Sequence, residues 1–135
     1  MQNQMRQEFR VAALSEPLSH YTDAVRFGDI LYISGVAPLD QAGKLVGDGD
    51  VVAQARQVFE NLKLILAAAG ADFGDILKVT VFLTDVRDRV KVNPVRQQYF
   101  GATRPASTLI GVNEIAIAGM KIEIEAVAGL RQARA

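Results

Sequence analysis

Between Asp50 and Gly70, Val51, Ala55, Val58, Leu62, Ile65 and Ala69 recur at helical spacing, forming one apolar stripe on a mixed surface. Asp50 stands where a carboxylate can accept from the free N–H groups of a first helical turn. Gly70 stands where a left-handed residue ends a helix. The pattern predicts a helix from Asp50 to Ala69. The period then shortens to two. Leu77, Val79, Val81 and Leu83 alternate with Lys78, Thr80 and Phe82, which predicts a strand. From Met120 to Ala128 the alternation is strict, with Ile122, Ile124 and Ala126 on one side and Glu123, Glu125 and Val127 on the other.

The remaining elements are shorter. Ala24 to Ser34 is an apolar run interrupted at Gly28-Asp29, a turn signal between strand-like flanks, which predicts a hairpin. Gly35 to Gly49 is rich in Gly, Pro and Asp and reads as loop. A second helix is expected between Arg87 and Phe100. Pro94 either fits its first turn, with Asn93 as the cap, or kinks a longer helix. Ser107 to Val112 reads as a short strand. The order β-β-α-β-α-β-β predicts an α/β (α+β) domain spanning residues 1–135, a sheet with two helices packed on one face. The second face carries Thr80, Phe82 and Val127, so it needs cover, and another subunit is the simplest cover. The sequence leaves open whether residues 1–17 are ordered or a flexible start.

Composition narrows the classes of function. Half of the residues are apolar and 22% are charged, a globular balance, and no stretch approaches the ~20 apolar residues of a membrane span. The N-terminal segment is polar and does not read as a signal peptide. Fifteen basic residues balance fifteen acidic ones. Arg87, Arg89, Lys91 and Arg96 cluster only loosely and are interleaved with Asp85 and Asp88, so no basic stripe for nucleic acid is present. There is no cysteine, hence no thiol nucleophile and no thiolate metal site. A cytoplasmic location, with no membrane or nucleic-acid partner, is the expectation.

Catalytic motifs with fixed spacing, such as GxSxG, HExxH and the phosphate-binding loops, are missing. His20 is the single histidine, so one chain cannot build a triad with a second histidine or a multi-histidine metal site. The residues left with usable chemistry are few. Glu123 and Glu125 share a face of the last strand and are either solvated carboxylates or a general base with its neighbour. Tyr21 and Ser34 flank the hairpin and are either rim residues or parts of one site.

Several runs taken together resemble the RidA/YjgF family, older members of which are named endoribonuclease L-PSP. They are His20-Tyr21-Thr22-Asp23-Ala24-Val25, Ile33-Ser34-Gly35, the helix-strand segment QARQVFENLKLILAAAGADFGDILKVTVFLTDV, Val92-Asn93-Pro94-Val95 with Tyr99-Phe100, Arg104-Pro105-Ala106, and KIEIEAVA. The similarity runs from about residue 18 to about residue 130. It implies a chorismate-mutase-like fold and a homotrimer whose sheets form a central barrel, with ligand clefts between subunits. It also implies cofactor-free hydrolysis of reactive 2-imino or 2-enamino acids to 2-keto acids and ammonia. By the same resemblance Tyr21 closes over the ligand, Ser34 lines the cleft, Glu123 positions the water, and Asn93 lies nearby. The deaminating members carry an Arg two residues after the Pro of their Pro-Ala-Arg motif. Here Ser107 holds that position. Losing a buried charge partner costs roughly 2–5 kcal/mol, so substrate preference is expected to change unless Arg104 reaches the cleft. The two functions implied are a deaminase-type hydrolase of altered specificity and a trimer that binds a small metabolite without turning it over.

Overall fold

The computed structural model of the chain describes residues 5–131. Its strands and helices are β1 (Arg6–Phe9), β2 (Ala24–Phe27), β3 (Ile30–Val36), α1 (Val51–Ala68), β4 (Ile76–Leu83), α2 (Arg89–Phe100), β5 (Ala106–Gly111) and β6 (Ile122–Gly129). The strands form one sheet in the order β1-β2-β3-β6-β4-β5. Neighbours are antiparallel except β4 and β5, which α2 connects as a parallel pair. This is the expected mixed α+β sheet with one strand more than the sequence pattern predicts. That extra strand is β1, whose Arg6–Phe9 pair with Phe27–Ala24 inside the segment left undecided at the start of the chain. An edge strand of four residues with a single apolar side chain, Phe9, is too short to show alternation, which is why the pattern misses it.

The expected helix stands where the spacing put it. Asp50 accepts from the N–H groups of Val52 and Ala53, and Ala71 N–H and Gly70 N–H close the other end on Leu66 O and Ala67 O. Gly70, at φ 74°, supplies the left-handed residue of that double closure. Val51, Ala55, Val58, Leu62 and Ile65 bury the stripe against Leu31, Ile33, Val79, Val81, Ile122, Ile124 and Ala126. The hairpin also stands as read, turning at Gly28-Asp29 with Gly28 at φ 61°.

Two expectations are corrected. Asn93 is not a cap. The segment enters α2 through a 3-10 turn at Val86–Asp88, whose cap Asp85 accepts from Arg87 N–H, and the helix then begins at Arg89. Asn93 and Pro94 therefore lie inside a longer helix, where Pro94 has no N–H for the Val90 carbonyl. In β4 the inward position at the strand start belongs to Ile76, not Leu77. The register slips between Ile76 and Lys78, and Leu77 is turned out to 52% exposure.

Opposite the helices, the sheet presents an unlayered face. Phe27 and Tyr32 keep about half of their surface exposed there, with Ile110 on the far side. Phe82, Thr80 and Val127 are only half-buried between them. Among the described residues no helix is long and apolar enough to cross a membrane.

Candidate active site

A pocket opens where β3 leaves the sheet. Three of the expected residues meet in it: Tyr21, Ser34 and Glu123 line the same cavity. A β-bulge brings them together. Ile33 pairs with Ala126, but the next pair is Val36 with Ile124, so Ser34 and Gly35 together oppose the single residue Glu125. The missing side chain at Gly35 is what admits the carboxylate. A Cβ built there would stand 2.7 Å from Glu123 Oε2 and 2.9 Å from Cδ. Burial pushes the Glu123 carboxyl above its ordinary value, and the Glu125 carboxylate on the same face pushes it further. A raised carboxyl beside a small cavity, free of any ion pair among the described residues, suits a group that takes up and returns a proton.

Ser34 fixes the opposite wall. Its N–H donates to Asp23 O at 3.0 Å and its hydroxyl donates to Thr22 O at 2.7 Å. Those bonds hold the chain just after Tyr21, whose phenol oxygen accepts from Leu18 N–H at 3.2 Å. The hydroxyl hydrogen of Ser34 is thus committed, and a ligand there meets only its lone pairs.

Sequence reasoning missed the residues that shape this wall. Arg10 grips the strap between Val11 and Asp23. It donates to the carbonyls of Val11, Leu14 and Ser15 and to the carboxylates of Glu16 (2.5 Å) and Asp23 (2.8 Å). Asp23 also accepts from Val11 N–H at 2.7 Å. Partners thirteen positions apart leave no trace in local periodicity. Two other residues had a visible signal, being amides among the apolar positions of α1. Asn61 donates to Ala37 O and Leu39 O, and Gln54 ties Gly47 and Gly119 to Lys121 N–H. Both are buried and hold the loops around the pocket mouth. Gly35, read from the sequence as the start of a loop, lies instead inside β3 (Ile30–Val36), next to its last residue.

The family model described as Endoribonuclease L-PSP matches residues 12–130. The chain belongs to that family. It is 41% identical over 113 residues to the RutC family protein PH0854 of Pyrococcus horikoshii, covering 84% of this chain and 89% of that protein. It is 35% identical over 128 residues to the human protein named 2-iminobutanoate/2-iminopropanoate deaminase, covering 95% and 93%. Among solved structures, E. coli TdcF with bound serine superposes with a TM-score of 0.85 at 34% identity, covering 93% of this chain and 99% of that one. The RidA/YjgF resemblance of the sequence is thereby confirmed, and family members include proteins named as imine deaminases.

The other candidates of this RidA-family chain lie elsewhere in the single subunit. Ser107 is on the exposed edge strand β5, paired with Val79, and does not line the Glu123 pocket. Asn93 and Arg104 line a second cavity beside α2. His20 is exposed on the strap. The Glu123 pocket holds three carboxyl residues, Glu16, Asp23 and Glu123, and no Lys or Arg among its lining. A carboxylate ligand placed wholly within it would face like charge.

Proposed function

We propose that this chain is a cofactor-free hydrolase of reactive imines or enamines, acting at clefts between the subunits of a trimer. The observation that carries the reading is the meeting of Tyr21, Ser34 and Glu123 in one pocket, with Glu123 admitted by Gly35 and raised toward the range of a working base. The name of the human relative, a 2-iminobutanoate/2-iminopropanoate deaminase, supports the substrate class, and the serine bound to E. coli TdcF supports an amino-acid-sized ligand.

In this reading Glu123 holds a water against the C=N carbon and accepts its proton as the C–O bond forms. That proton passes to the nitrogen of the tetrahedral intermediate; Glu123 then takes the proton of the new hydroxyl and delivers it to the nitrogen as the C–N bond breaks, so that a keto compound and ammonia leave. Water supplies the oxygen, and no electron acceptor is needed. Tyr21, half exposed on a strap held by Arg10, closes over the ligand.

A neighbouring subunit completes the cleft. The uncovered apolar face with Phe27, Tyr32 and Ile110 supports assembly of copies through the sheet. Ser107, Asn93 and Arg104 join the cleft as the neighbour's contribution, opposite Tyr21 and Glu123. With Ser107 in place of a guanidinium, substrates with a neutral or differently placed polar group are preferred.

The absence of a cation among the residues lining the Glu123 pocket favours a second reading, a trimer that binds a neutral metabolite without turnover. Keto-acid and ammonia release from 2-iminobutanoate generated in situ, with and without the protein, separates the two. Acceleration supports hydrolysis, and a folded trimer that gives none supports binding. Light scattering that shows only monomer at micromolar concentration removes the inter-subunit cleft from both.

A further inference from the structure

The apolar stripe of α1 is broken twice, by Gln54 and by Asn61 two turns further on, and both amides are buried. A buried amide without partners is costly, and an apolar side chain would fill either slot without that risk. Gln54 has both of its Nε2 hydrogens and its side-chain oxygen engaged. Nε2 donates to Gly47 O at 3.1 Å and to Gly119 O at 2.9 Å, and Oε1 accepts from Lys121 N–H at 2.7 Å. The two carbonyls belong to glycines at positive φ, 81° and 91°. Neither has room for a side chain, since a Cβ on Gly47 would stand 2.7 Å from Ala53 Cβ and one on Gly119 2.8 Å from Leu45 Cδ2. Two separate turns of the chain thus close on one amide.

The turn at Gly119–Lys121 is the entry to β6 and ends two residues before Glu123. Support from the sheet is one-sided there. β3 last pairs with β6 at Val36–Ile124 and then leaves the sheet, so Ile122 and Glu123 are paired only with Leu83 and Phe82 of β4. Lys121 is fixed twice, its N–H by Gln54 and its carbonyl by Thr84 N–H at 3.1 Å. On the side that β3 vacates, α1 supplies the missing anchor. Asn61 does the same for the departing chain through Ala37 O and Leu39 O.

We propose that Gln54 is a positioning residue for Glu123: by clamping the Gly119–Lys121 turn to α1, it sets how deeply the Glu123 carboxyl is held in its pocket. The effect on rate rests on the reading of Glu123 as a base, and the effect on its position does not. The titratable groups that share the pocket are Glu16, Tyr21 and Asp23, and Glu125 stands on the same strand as Glu123. α1 lines the pocket with Asn61 and Ile65, and β4 sets Phe82 opposite Glu123, so neutral substitutions at Gln54 alter no charge that faces the carboxyl.

The test is the titration of the Glu123 carboxyl, followed by carbon NMR in the full-length protein, beside the acid limb of kcat/KM on 2-iminobutanoate made in situ. Gln54→Met fills the slot but leaves Gly47 O, Gly119 O and Lys121 N–H unpaired. Gln54→Asn keeps an amide too short to reach all three, and is the milder change that folds if Gln54→Met does not. Val58→Ala is the control, since it hollows the same stripe of α1 at a fully buried position without touching the turn. Either Gln54 variant should bring the Glu123 midpoint down from its raised value toward 4.5, as the loosened turn admits water, and should move the acid limb with it. Val58→Ala should move neither. In the Gln54 variants kcat should fall about tenfold or more with KM little changed. A wild type that gives no turnover refutes the catalytic reading of Glu123, and the NMR midpoints still decide the positioning role. A midpoint unchanged in a folded Gln54 variant, or moved as far by Val58→Ala, overturns it.

Discussion

Gly35→Ala perturbs the pocket without removing any functional group. The added methyl would stand 2.7 Å from Glu123 Oε2, 2.9 Å from Cδ and 3.3 Å from Cγ, whereas ordinary contact begins at 3.4 Å. The carboxylate must therefore retreat by about 0.7 Å, and a displacement near 1 Å in a group that positions a reactant costs up to ~10²-fold in rate. The fold is affected much less. Gly35 is not at positive φ, so alanine is stereochemically acceptable, and the atoms it meets are the far end of a flexible side chain. We expect a stability change within about 1 kcal/mol. The assay pairs chemical denaturation with kcat/KM on 2-iminobutanoate made in situ. Glu123→Gln provides the control, because adding Gly35→Ala to that background should cost nothing further in activity. A folded Gly35→Ala protein with undiminished kcat/KM refutes the idea that the bulge exists to place the Glu123 carboxylate.

Further outcomes follow from the same geometry. The Glu123 carboxyl is raised in the folded state, so its protonated form is favoured by folding. Its contribution to stability is fully present below the ordinary 4.5 and is lost as pH rises through the raised folded value. Activity has the opposite slope, since a base must be ionised. The acid limb of kcat/KM should lie above pH 4.5, and the stability slope should flatten in Glu123→Gln. Arg10→Gln removes the grip on the Val11–Asp23 strap at a cost of about 1–3 kcal/mol, faster hydrogen exchange over residues 11–22 and a rise in KM larger than the fall in kcat. Unchanged exchange there would show that the strap holds itself. Ser107→Arg should raise activity on 2-imino acids, and no change would remove Ser107 as the source of altered specificity.

Much of this was legible where one physical constraint dominates a stretch of chain. The stripe on α1, the Gly28-Asp29 turn and the alternation of β6 each follow from burial on one face or from a glycine at positive φ. Glu123, Tyr21 and Ser34 could be singled out by residue type and resemblance. Their convergence, however, depends on the Ser34-Gly35 bulge, and a register shift is a property of two strands, not one. The same holds at Leu77, where pairing with β6 decides which of two adjacent apolar residues turns inward. Strand β1 has one apolar residue, Phe9, too few to make an alternation. The Arg10–Asp23 clasp and the Asn93–Arg104 cavity join residues whose proximity only the turns at their ends create.

The account turns on Glu123 acting as a base in the pocket. The most direct measurement is ammonia and keto-acid release from 2-iminobutanoate by the wild-type protein and by Glu123→Gln, with thermal midpoints taken on the same samples. The account predicts clear acceleration by the wild type, a loss of roughly 10²–10⁴-fold in the variant, and midpoints that do not fall. A wild type no faster than buffer, or a variant as active as the wild type, contradicts it.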